Sequence, residues 1–159
     1  MTISRYGLSV RPEPGWQTQI FRRQPQDPHE VTHPVLHACT RALPAGCGDF
    51  GGGVIDRLDT SDVFVSLIEF GSDVAGEGLF APVGMPRLAP SQFGPNNMPR
   101  AVAGRSAAQH FFTVGDRAFC LFVVVGSHAR RMALVPRAAR LLSGVSVSRR
   151  VLPRRMGLL

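Results

Sequence analysis

One run in the chain spells a ligand-binding motif: Gly46-Cys47-Gly48-Asp49-Phe50-Gly51 fits GxGxxG. In a dinucleotide-binding unit these glycines let the backbone turn tightly and approach a pyrophosphate seated at a helix N-terminus, and an acid about 20 residues further on bonds the ribose. The surroundings agree in layout. A strand-like run (35–43) precedes the glycines, a short helical run (54–58) follows, and Glu69 lies 18 residues beyond Gly51. They disagree in chemistry. Asp49 puts a carboxylate where amides must meet phosphate, Gly52 and Gly53 weaken the helix start that has to bind the anion, and 54–60 is too short for a crossover helix. Gly46, Gly48 and Gly51 are therefore candidate small-ligand or dinucleotide-binding positions, with a tight loop as the plainer reading.

Other combinations fall short sooner. Asp49-Phe50-Gly51 matches the kinase metal triplet, but the chain has no lysine and no catalytic loop. His29, His33 and His37 recur every four residues with Cys39 just beyond, a donor set suited to zinc. That spacing aligns ligands only on a helix, which Pro28 and Pro34 oppose, so no metal site is expected. Ser127 and His128 are chain neighbours rather than a nucleophile and its base, and Ser127 is expected to cap a helix. His110 shares a strand face with Phe112 and reads as a core or edge residue. No base, nucleophile and orienting group come together, so neither an enzyme nor a cofactor is expected.

The 18 basic residues are all arginine, and the formal net charge is +7. Residues 1–116 hold nine arginines against all eleven acids, a net −2, while 117–159 hold nine arginines and no acid, a net +9. Arg130, Arg137, Arg140, Arg149, Arg150, Arg154 and Arg155 are thus candidates for binding nucleic acid, another polyanion or a protein partner. Arginine, alanine, glycine and proline have GC-rich codons, so a high-GC genome accounts for much of the count. Phe111, Phe112, Phe119 and Phe122 are better explained as core than as base-stacking platforms.

The elements that must position these groups follow from pattern. At 159 residues with 44% hydrophobic content the chain suits one domain that buries about two-thirds of its unfolded surface. Strands are expected over 16–22, 35–43, 62–70, 107–114, 117–125 and 145–151. Residues 62–70 and 117–125 are apolar on both alternating faces, as for strands covered on both sides. Gly115-Asp116 is hairpin-turn chemistry, and the two apolar faces of 117–125 predict that the 107–125 hairpin lies at the centre of the sheet. A helix over 129–143 turns Met132, Val135, Ala139 and Leu142 to the core, kinked or started late by Pro136. Residues 11–34 and 71–104 are loop-rich, the second with an edge strand near Leu79 and long enough to be functional. A domain over 1–147 followed by a basic tail, 148–159, completes the division. Three cysteines cannot all pair, no secretory leader is evident, and the longest apolar run, 118–125, is far short of a membrane span. A cytoplasmic protein that does not engage membranes is expected.

The runs GDFGGGVIDRL, DVFVSLIEFG and QHFFTVGDRAFCLFVVVGSHARR resemble a group of small actinobacterial proteins, over roughly residues 35–147. The most specific pieces are 48–51, 62–65 and 119–126. The order of elements is similar to α+β sandwiches of the Mog1/PsbP type, which are mostly interaction or assembly modules. From the actinobacterial group no activity, ligand or catalytic residue carries over to this chain. The expectation is one α+β domain with a mainly antiparallel sheet, acting as a non-enzymatic module that binds an unidentified protein through 71–104 or the basic C-terminal end.

Overall fold

The computed structural model describes residues 1–98 and 102–149. Among these residues eight strands form, in chain order β1 (Ile3–Arg5), β2 (Leu8–Val10), β3 (Gln17–Arg22), β4 (Pro34–Cys39), β5 (Val63–Phe70), β6 (Ser106–Val114), β7 (Arg117–Val125) and β8 (Val145–Val147). One α-helix, α1 (Arg131–Ser143), connects β7 to β8. Five strands build one sheet in the order β3-β4-β5-β7-β6, and β1-β2-β8 build a smaller one. Every neighbouring pair is antiparallel. The fold is α+β, as the patterning predicts.

All nine residues of β7 are buried, and so are the first seven of β5, because the large sheet is covered on both faces. On one face Val63, Val65 and Leu67 of β5 and Leu121 and Val123 of β7 meet Leu134, Val135, Ala138, Leu141 and Leu142 of α1. The small sheet adds Leu8 and Val10 to the same core. On the other face Cys47, Val54 and Leu58 from the glycine-rich segment pack on Cys39, Phe64, Phe122 and Val124.

Four expectations shift. The hairpin β6–β7 lies to one side of the sheet, since β6 is an edge and β5 holds the centre. The buried stripe of α1 runs through 134, 135, 138, 141 and 142, a wider i, i+1, i+4, i+7, i+8 face that leaves Met132 70% exposed. Pro136 sits inside the helix rather than at its start. Its ring and missing N–H cost about 3 kcal/mol, and it lies on the exposed side of the helix with Met132. Burying Leu134, Val135, Leu141 and Leu142 contributes roughly 8 kcal/mol, which decides in favour of the helix. Near Leu79 a single 3₁₀ turn, Gly78–Phe80, stands in place of a strand.

A fully buried ion pair joins the two sheets. The Arg117 Nε and Nη2 donate to the two carboxylate oxygens of Glu69 at 3.0 and 2.6 Å. Its remaining N–H groups donate to the carbonyls of Tyr6, Gly7 and Ser148 at 3.0, 3.2 and 3.0 Å. Tyr6 and Gly7 turn β1 into β2 with φ of 54° and 76°, the geometry of a type I′ turn. Ser148 therefore belongs to the folded domain, its N–H donating to the Gly7 carbonyl at 2.9 Å.

Replacing either member leaves a buried charge unpaired. Glu69→Ala or Arg117→Ala is expected to lower the free energy of unfolding by about 3–5 kcal/mol in urea titrations. Arg117→Lys keeps the charge but offers three donors to five acceptors, and is expected to remain destabilised by at least about 2 kcal/mol.

Candidate functional site

The glycine-rich run folds back on itself. The Gly48 N–H donates to the Gly52 carbonyl at 3.0 Å, and the Gly51 N–H to the Gly48 carbonyl at 2.9 Å. The Val54 and Ile55 N–H groups both donate to Gly51. Gly51 adopts φ +84°, and a Cβ there would stand 2.8 Å from Ile55 Cγ1 and 2.9 Å from Phe64 Cε2. Its glycine is thus required for the loop to lie flat on the sheet. The hollow beside it, about 180 Å³, is lined by Phe50, Gly51–Gly53, Ile55, Asp56 and Val102 among the described residues. Ligand sites usually span about 300–1,000 Å³. One 3₁₀ turn, Ile55–Arg57, follows where a dinucleotide site needs a long helix, and Glu69 is engaged with Arg117.

What the loop covers is polar. His37 of β4 and Ser66 of β5 are register partners, and both reach the Asp49 backbone carbonyl, at 3.2 Å from His37 Nε2 and 2.5 Å from Ser66 Oγ. Ser66, His37 and Asp49 thus meet in space, although no catalytic geometry results. The serine hydroxyl donates to a carbonyl rather than to the imidazole, and both residues are fully buried. They pin the loop. One oxygen of the Asp49 carboxylate stands 3.3 Å from Arg23 Nε, and the other is buried.

The remaining candidates disperse. Among the described residues no three His, Cys, Asp or Glu side chains gather to hold a metal ion. The Ser127 Oγ accepts the Arg130 N–H at 3.3 Å, just ahead of α1. Arg130 and Arg137 reach the carbonyls of Thr60 and Ser61, which precede β5, and Arg140 pairs with Glu13 at 3.4 Å. Arg149 packs against Gly115 in the β6–β7 turn, at the opposite end of β5. With eight residues at about 3.3 Å each, β5 separates these groups by roughly 25 Å. Arg150, Arg154 and Arg155 lie outside the described residues.

A different site is assembled along β6. Thr113 pins the 71–84 stretch through four bonds. Its N–H donates to Pro82, its carbonyl accepts from Gly84, and its hydroxyl accepts from the Gly76 N–H and donates to Phe80. At the other end Ala107 and Gly94 exchange backbone bonds at 3.0 and 3.1 Å, and Asn97 Nδ2 donates to the Ala107 carbonyl. Between these attachments lies a groove of about 480 Å³ lined by Gln92, Asn96, Asn97, Met98, Ala108, Gln109 and His110. His110 stands 3.1 Å from Gln92 Oε1, and partial burial lowers its pKa. None of these amides stood out in the sequence, where Gln109-His110 is a brief polar break in an apolar hairpin.

Set against known protein families, curated proteins and solved structures, the chain matches none. No helix among the described residues is long and apolar enough to cross a membrane.

Burial among Phe21 and Phe64 lowers the His37 pKa from 6.5 to about 4. The unfolded chain therefore binds a proton between those limits that the folded one refuses. Stability contributed by neutral His37 is complete above pH 6.5 and falls as pH drops toward 4, by about 3 kcal/mol in all. His37→Gln, which keeps an N–H donor but does not titrate, is expected to remove that slope when denaturant unfolding is followed from pH 7 to 4.

Proposed function

We propose that this protein is a non-enzymatic interaction module that binds another protein through the 71–98 segment. The observation that carries this reading is a pair of exposed apolar side chains, Leu79 at 68% and Val83 at 85% exposure, on a stretch held in place by Thr113. Apolar side chains offered to water on a pinned backbone lose little entropy when a partner covers them. The order of elements, similar to that of Mog1/PsbP-type modules, agrees with this role. Three buried, unpaired thiols agree with a reducing, cytoplasmic setting.

The test is affinity capture from native cells after nuclease treatment, with the full chain as bait beside Leu79→Ser/Val83→Ser. A bait ending at Arg149 keeps the Ser148 bonds and removes the basic end. The expected outcome is a protein held by the full chain and the shortened bait, and lost with the double variant at unchanged thermal stability, since exposed substitutions shift stability by only about 0.5 kcal/mol. A protein retained by the double variant, or lost on shortening, overturns the assignment to 71–98. Material released by nuclease moves the function to nucleic acid.

A further inference from the structure

We infer that the middle of β6 is a docking slot for one extended peptide segment of the protein partner, bound by main-chain pairing; this rests on the interaction reading above. β6 pairs with β7 in unbroken register from Ser106↔Val125 to Val114↔Arg117. Without a bulge, alternate residues of β6 direct their N–H and C=O groups away from β7. Ala107 and Thr113 show which set this is, because both bond outward, to Gly94 and to Pro82 and Gly84. Gln109 and Phe111 share that parity, so two donors and two acceptors point out of the sheet at these positions. Among the described residues none of these four groups is paired. The burial pattern agrees: Ser106–Ala108 and Phe112–Thr113 are buried, Gln109 is exposed, and His110 and Phe111 are partly open.

The shape of the opening selects the occupant. From Ala107 to Thr113 is about 20 Å of strand, and the attachments at each end leave room for roughly four extended residues. Both attachments lie beyond β6 in the hydrogen-bonding direction. Another folded sheet edge, including β6 of a second copy, would strike them before its backbone came within pairing distance, whereas a lone extended chain passes between. Gln92, Asn97, Gln109 and His110 border the slot with uncharged donors and acceptors. Main-chain complementarity therefore supplies affinity with little demand on side-chain charge. Val83, bridged to Thr113, stands at one end of the slot, so a segment paired there runs on toward the exposed apolar pair.

The probe is a phage-displayed library of random heptapeptides presented to the full chain. The expected result is a set of peptides that shift the Gln109 and Phe111 amide resonances and slow their hydrogen exchange. Methylating the backbone nitrogens of one alternate set in such a peptide is expected to weaken binding about tenfold or more, and the other set far less. Gln109→Pro removes one outward N–H at an edge position that the fold leaves unused, and is expected to abolish binding at unchanged melting temperature. Should that variant fail to fold, the methylation series decides alone. A library that yields no binder, peptides that protect other amides, or affinity indifferent to methylation overturns the slot. If Leu79 and Val83 still govern partner capture, only the slot falls; if capture ignores them as well, the interaction reading falls with it.

Discussion

Burying a guanidinium and a carboxylate together is costly, and the pair persists only where geometry and further hydrogen bonds compensate for the lost water. Around Arg117 that compensation is complete: five N–H groups meet five acceptors, two on Glu69 and three on main-chain carbonyls. The carbonyls come from the β1–β2 turn and from Ser148, so the charge that must be satisfied inside the large sheet recruits both ends of the small one. The small sheet in turn fixes where α1 ends. Arg11 donates to the Gly144 carbonyl at 2.9 Å, and a Cβ on Gly144 would meet the Arg11 carbonyl at 2.5 Å. Helix, small sheet and the end of the hairpin are thus held in register by one desolvated side chain.

The opposite face follows a second constraint, that buried polar groups must find partners. His37 and Ser66 sit side by side among Phe21, Phe64 and Phe122, and the Asp49 carbonyl meets both His37 Nε2 and the Ser66 hydroxyl. The loop that brings this carbonyl down must cross closely over Phe64, which demands glycine at 51. A dinucleotide fingerprint and a loop that seals a polar spot on a sheet draw on the same residue type for the same reason, close backbone approach. The spacing of glycines alone does not distinguish a phosphate from a protein surface as the thing approached.

This explains which parts of the molecule could be read from residues in order. β5 and β7 are legible because two-sided burial leaves a continuous apolar run, and the β6–β7 turn because Gly115-Asp116 is local chemistry. β1 and β2 are not, since three-residue strands carry no periodicity and their turn places Tyr6 at φ 54°, a conformation its sequence does not advertise. The rotation of α1 is obscured because Met132 is apolar yet faces water. Glu69 and Arg117 are 48 residues apart and each looks like an ordinary surface charge; only the strand register brings them together. The groove along β6 is hidden for the same reason, as its amides come from 92–98 and 109–110 and nothing local links them.

The edges of the large sheet show how exposure and protection are balanced. An open strand edge invites uncontrolled pairing, and natural sheets blunt it with charge, proline or a covering segment. β3, at one edge, ends at Arg22 with Arg23 and Pro25 just beyond. β6, at the other, is apolar and long, and it is guarded by two short attachments from the 71–98 segment rather than by charge. Closing the edge completely would need that segment to run as a continuous strand, which Pro86, Pro90 and Pro95 prevent, since each lacks a ladder donor. The chain instead loops away at Gly84 and returns at Gly94. Its departure places Met85, Leu88 and Phe93 against the main core, so the arc is held by burial even though it leaves the edge. The same prolines that make 71–98 irregular thus determine that β6 is protected from other sheets at both ends and accessible between them.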